Sequence, residues 1–179
     1  MKQQMIIAAI AVAFGATVAL AGGDPANLVG TKMCGVCHKK EDTGNQLGNW
    51  EKSPHAKAFE KLGTPEAKEA AKKLGIDDPQ KSGKCLKCHS TAYWFSEKIA
   101  TEKIKPEEGV TCESCHGPGK DYKGKSTMEN RDKAIAAGMV YPATKSCTQC
   151  HNQESPTFKG FDEAKYAEKI AHPNPKAKK

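Results

Sequence analysis

The sequence predicts a mainly α chain with long irregular loops. Three observations carry this. No stretch of useful length alternates apolar and polar residues with the period of a strand. Short helical stretches are set off by Ser-Pro, Thr-Pro, Asp and Gly punctuation. Four Cys-x-x-Cys-His boxes recur at unequal intervals, which argues against a simple repeat and for one irregular domain.

The chain has 179 residues and a formal net charge of +7. Lys2 supplies a positive start, Met5 to Leu20 is apolar, and Ala19-Leu20-Ala21 is a small-residue cleavage site. Residues 1–21 therefore read as a cleaved signal peptide. Residues 22–179 form a single domain. The apolar run is short for a bilayer span, and no other stretch is apolar enough for one. The mature chain is read as exported to the periplasm or beyond, with no membrane span after cleavage.

Gly22 to Gly30 is a loop-like arm. The box Cys34-Gly35-Val36-Cys37-His38 opens a helical turn, and Thr43-Gly44 breaks it. Ser53-Pro54 has the residues of a helix start, an N-cap followed by proline at the first helical position. That spacing predicts a helix from Pro54 to Leu62, stopped by Gly63, with His55, Phe59 and Leu62 on one face. Thr64-Pro65 repeats the signal for a helix to Leu74, ended by Gly75. Asp77 to Gly83 leads to the second box, Cys85 to His89, and Tyr93-Trp94-Phe95 follows it, suited to packing on flat cofactor faces. Pro106 to Gly109 turns the chain into the third box, Cys112 to His116. Ser126 or Thr127 caps a helix through Ile135, closed by Gly138. After the fourth box, Cys147 to His151, Asp162 caps a last helix through Tyr166 and Ile170, ended by Pro173.

In each box, two thiols at this spacing form thioethers to the vinyl groups of a haem, and the next histidine lies under the iron. Cys34, Cys37, Cys85, Cys88, Cys112, Cys115, Cys147 and Cys150 are all eight cysteines of the chain. None remains for a disulfide or a nucleophile. Paired knuckles also hold structural zinc, but zinc gives no reason for a histidine after every second cysteine. The boxes therefore predict four covalently bound haem c groups, with His38, His89, His116 and His151 as proximal ligands. The chain is poor in Ile, Val and Phe, so the macrocycles themselves are expected to form most of the core.

Four irons have eight axial positions. Beyond the box histidines only His55 and His172 remain. Both are candidate distal ligands, His55 because it lies on an apolar face. Met128 and Met139 are the thioether candidates, against their ordinary use as core filler. The count leaves room for lysine, an external ligand, or an open position.

The stretch Gly109-Val110-Thr111-Cys112-Glu113-Ser114-Cys115-His116-Gly117-Pro118-Gly119 resembles the third haem site of the tetrahaem cytochrome c-554 family. Ser53 to Phe59 resembles that family's distal-ligand helix, and Cys147 to Gly160 its fourth site. The resemblance implies a mainly helical, exported multihaem cytochrome c with haems stacked in close pairs. By position it makes His55 distal ligand to the haem of His116, and the haem of His89 the family's five-coordinate site. The family's histidines after the Gly-Pro-Gly turn and before the fourth box have no counterpart here. Met128 and Met139 lie near those places.

These readings point to an electron carrier. It would run between periplasmic or membrane redox partners and a terminal reductase or an extracellular acceptor. The spread lysines suit steering toward a partner with an acidic docking surface. No dense Arg cluster interleaved with aromatics suggests nucleic acid. Two further readings stand beside it. One is an enzyme reducing nitric oxide, nitrite or hydroxylamine at an open haem. The other is self-association into a haem filament with shared ligands.

Overall fold

A computed structural model of the chain describes residues 24–95 and 103–176. The leader lies outside the described residues. The described residues form ten short α helices and four 3₁₀ turns, with no strand among them.

The first box lies in α1, Thr31–His38. A 3₁₀ turn at Glu41–Thr43 ends on Gly44 at φ +103°, the break expected there. Helix α2, Gln46–Glu51, starts from Asn45, whose side chain accepts from Gly48 N at 2.9 Å. It lies close on α1: a Cβ on Gly35 would meet Leu47 at 2.8 Å.

The predicted helix from Pro54 does not form. Residues 53–57 make turns, and α3 is only Ala58–Lys61. Turn-type bonds tie Lys57 N to the Pro54 carbonyl and Ala58 N to the His55 carbonyl, and that His55 oxygen also accepts from Val110 N at 3.0 Å. The tertiary bond holds the turn against the wall of the third box. Ser53, expected to cap, has a buried hydroxyl without a hydrogen bond.

Helix α4, Pro65–Lys73, follows its predicted signals. Thr64 Oγ1 accepts from Ala67 N, Pro65 opens the helix, and Gly75 at φ +68° follows its end. The second box is α5, Gly83–His89, followed by α6, Thr91–Trp94, and the third is α7, Cys112–His116. The predicted single helix after Ser126 is two: α8, Lys125–Met128, and α9, Arg131–Ala136. Asn130, rather than Ser126 or Thr127, is the side-chain cap, accepting from Lys133 N at 2.9 Å. The fourth box lies at the end of a 3₁₀ stretch, Ala143–Gln149. The last helix, α10, Glu163–Ile170, is capped by Asp162 as its sequence indicates.

The protein's own core is thin. Leu28, Ala92 and Ile104 form one buried cluster, with Tyr93 and Phe95 packed against it. The largest fully buried side chains include Glu113, Thr91 and Thr111 beside Leu28, Leu86 and Ile104. A buried set this polar holds together through hydrogen bonds. Thr91 is the densest junction: its Oγ1 reaches Gly109 O, Ser114 Oγ and Thr111 N, tying α6 to the entrance of the third box.

Candidate functional site

The four boxes are brought together in two pairs. The first and third meet where the thiols of Cys34 and Cys112 lie side by side, and α1 packs on α7. The second and fourth meet through an ion pair of Lys87 with Glu154, with Cys88 beside Cys150. The pairs are joined where α7 packs on the 3₁₀ stretch of the fourth box and Ser146 Oγ donates to the Cys115 carbonyl at 3.1 Å. All eight thiols are free. Contact with Cys150 lowers the Cys88 thiol to about 7, against burial, and burial pushes Cys115 up to about 11.

The histidines are arranged on the same plan. The ring centroids of His55 and His151 are 6.1 Å apart, with planes at 73°. Those of His116 and His172 are also 6.1 Å apart, at 75°. A metal bound by one nitrogen of each ring sits about 2 Å from each, and each nitrogen is about 1.1 Å from its ring centre, about 6.2 Å in all. The centroid spacing of both pairs matches that of one iron between two imidazoles. His55 faces His151, and His172 faces His116, whereas the resemblance sets His55 on the haem of His116. Among the described residues, neither His38 nor His89 faces an imidazole in this way. No ring contact assigns Met128 or Met139 to a box histidine. Both are half-buried, at the end of α8 and beyond α9.

Ring orientation is fixed from the outer nitrogen. His89 Nδ1 lies 2.7 Å from the Ala58 carbonyl, His172 Nδ1 2.7 Å from the Ile170 carbonyl, and His38 Nδ1 3.2 Å from Gln46 Oε1. An Nδ1–H donated to an oxygen selects the tautomer whose Nε2 is free to bind a metal. Burial lowers the His55, His116 and His151 imidazoles, and in each case another histidine adds to it: His151 for His55, His172 for His116, His89 for His151. The neutral ring thereby favoured is the metal-binding form. His151 also stacks on Phe161 at 4.5 Å, and Phe161 stacks on Tyr166. The segment 161–172 thus touches one histidine pair with Phe161 and completes the other with His172.

Among the described residues, no group of three or more His, Cys, Asp or Glu is close enough to hold a bare metal ion. A Cys₄ zinc site needs such convergence. Separate two-thiol tethers with facing imidazoles fit haem instead.

Two residues escaped the sequence reading. Gln46 carries no motif signal. Glu113 stands inside a box, at a position the attachment chemistry leaves free.

The description "Cytochrome c554 and c-prime" belongs to the family model that matches residues 33–117, which hold the first three boxes and His55. "Cytochrome c-554" of Nitrosomonas europaea is similar to this chain, 33% identical over 147 residues, covering 73% of this chain and 60% of the relative. The chain thus spans well under two thirds of the length of that curated relative. No solved structure matches.

Proposed function

The chain belongs to the cytochrome c-554 family, and from that premise we propose that it is an exported, periplasmic tetrahaem electron carrier. The observation that carries this is the pair of facing imidazoles at 6.1 Å, each joining a box histidine to one of the only two histidines outside the boxes.

In this reading Cys34, Cys37, Cys85, Cys88, Cys112, Cys115, Cys147 and Cys150 tether four haem c groups. His38, His89, His116 and His151 are the proximal ligands. When bound, haem supplies a one-electron iron couple whose potential is set by axial ligand, burial and hydrogen bonding. The chain's residues do the rest. His55 and His172 close the distal positions opposite His151 and His116. Gln46, the Ala58 carbonyl and the Ile170 carbonyl hold the rings of His38, His89 and His172, respectively, in the binding tautomer. The packing of α1 on α7, and the Lys87–Glu154 ion pair between boxes two and four, bring the tethers together in pairs, and the Ser146 bond links the pairs into one path. Met128 and Met139 are the candidate thioether ligands for positions the histidines do not fill. The lysine-rich surface favours a donor or acceptor with an acidic docking face.

A second reading rests on His38 and His89, which face no imidazole among the described residues. An open position there would admit nitric oxide, nitrite or hydroxylamine, and the protein would act as their reductase.

The test is spectroscopic. Pyridine haemochrome absorbance and intact mass count the haems, and four are expected. EPR of the oxidised protein is expected to show two bis-imidazole low-spin centres. Fewer than four haems, or no bis-imidazole signal, overturns the carrier reading. Turnover of a nitrogen compound at a high-spin centre moves the assignment to the reductase.

A further inference from the structure

Glu113 is the one carboxylate buried inside a box, 1% exposed, between Cys112 and Cys115. Its contacts are all N–H donors. Oε1 accepts from Val29 N at 3.0 Å and Gly119 N at 2.7 Å, and Oε2 accepts from Gly30 N at 2.9 Å and Val29 N at 3.2 Å. Donors alone satisfy an ionised carboxylate, whereas a protonated one would need an acceptor for its own hydrogen. The site is built for a negative charge. No ion pair with a Lys or Arg neutralises it among the described residues.

The charge lies at the junction of the first box pair. Gly30 is the N-cap of α1, and Glu113 belongs to α7.

We infer that Glu113 is a tuning residue, whose buried charge holds the redox centres of the first and third boxes at lower potential than those of the second and fourth. The inference rests on the haem reading above. A fixed negative charge favours the more positive, oxidised iron, and burial keeps water and salt from screening it. It acts on two centres at once because both boxes are clamped to the same side chain. Electrons then run downhill from the His38 and His116 pair to the His151 and His89 pair, which gives the path a direction.

A control is built into the molecule. The His116–His172 and His151–His55 centres share one ligand type, so their difference reports surroundings. Glu113 predicts the His116 centre at the lower potential of the two.

The experiment is a potentiometric titration of the holoprotein, followed by EPR, on the wild type, Glu113→Gln and Glu113→Asp. Haem is counted first by pyridine haemochrome, and its absence would refute the carrier reading itself. With four haems present, the wild-type His116 centre is expected below the His151 centre. His172→Ala identifies the former by removing its low-spin signal. Glu113→Gln is expected to move two of the four centres upward by about tenfold in the redox equilibrium, about 59 mV, and leave the others in place. Glu113→Asp keeps the charge and the low values. Reversed order in the wild type, no shift in the Gln variant, or an equal shift of all four overturns the inference. If the Gln variant does not fold, the wild-type order still decides.

Discussion

His55 and His151, far apart in sequence, stand ring to ring at 6.1 Å and 73°. The contact is set up from His55's backbone: its carbonyl accepts from Val110 N at 3.0 Å, which fixes the 53–57 turn beside the third box. Replacing the ring should therefore open one site and leave the fold. We expect His55→Ala to convert one bis-imidazole centre to high spin while the His116–His172 signal persists, and His172→Ala to do the reverse. EPR of the two variants checks this. Loss of the same signal in both would show that the pairing is wrong.

Gly109 guards that turn. It has φ +71°, and a Cβ there would meet the His55 carbonyl oxygen at 2.7 Å. Alanine would be strained in this conformation and would press on the segment that carries the ligand. Gly109→Ala should cost about 1–3 kcal/mol and weaken the His55-dependent low-spin signal before any other. Thermal melting followed at that signal and by far-UV circular dichroism separates the local effect from the global one.

Gln46 donates from Nε2 to the Thr43 carbonyl at 2.6 Å and presents Oε1 to His38 Nδ1 at 3.2 Å. An acceptor on Nδ1 makes a ligating imidazole more electron-rich and favours the oxidised metal. Gln46→Leu is expected to raise the potential of the His38 centre by about 60 mV, a tenfold change, with haem content unchanged. Gln46→Glu should lower it. A redox titration that finds neither shift would assign Gln46 to loop structure alone.

The end of the described chain is held on the first-box loop. Lys176 pairs with Asp42 and lowers that carboxyl below its ordinary value of 3.8. The sign follows from the depression. The contact's contribution is present above the unfolded carboxylate's value and is lost as the pH falls through the lower, folded one. Both side chains are well exposed, so the effect is local and salt-sensitive. Hydrogen exchange should show the amides of Asn174 and Lys176 losing protection in Asp42→Asn at neutral pH, and in the wild type only below about pH 4. Protection unchanged in the variant would show that other contacts hold this end.

Much of this was legible in the chain itself. The four boxes, the Thr64 and Asp162 caps, the Gly44 and Gly75 breaks and the shortage of strand-forming residues all act within a few residues, where local chemistry decides. The sequence also narrowed the candidate distal histidines to His55 and His172, because no other histidines lie outside the boxes. It misplaced the helix at Pro54, where a backbone bond from Val110 outweighs a good local start signal. It also placed a cap at Ser126 or Thr127 that Asn130 supplies.

Which histidine meets which box was decided by tertiary structure alone. His172 lies by His116, and His55 by His151, with the chain end held through Lys176 to Asp42 and the 53–57 turn held by Val110, both distant in sequence. Glu113 belongs with them: within its box it is one variable residue, and only the folding of Val29, Gly30 and Gly119 around it makes it a buried charge. Spacing along a chain fixes what a residue is able to bind. Long-range packing fixes what lies opposite it, and a ligand pair requires both.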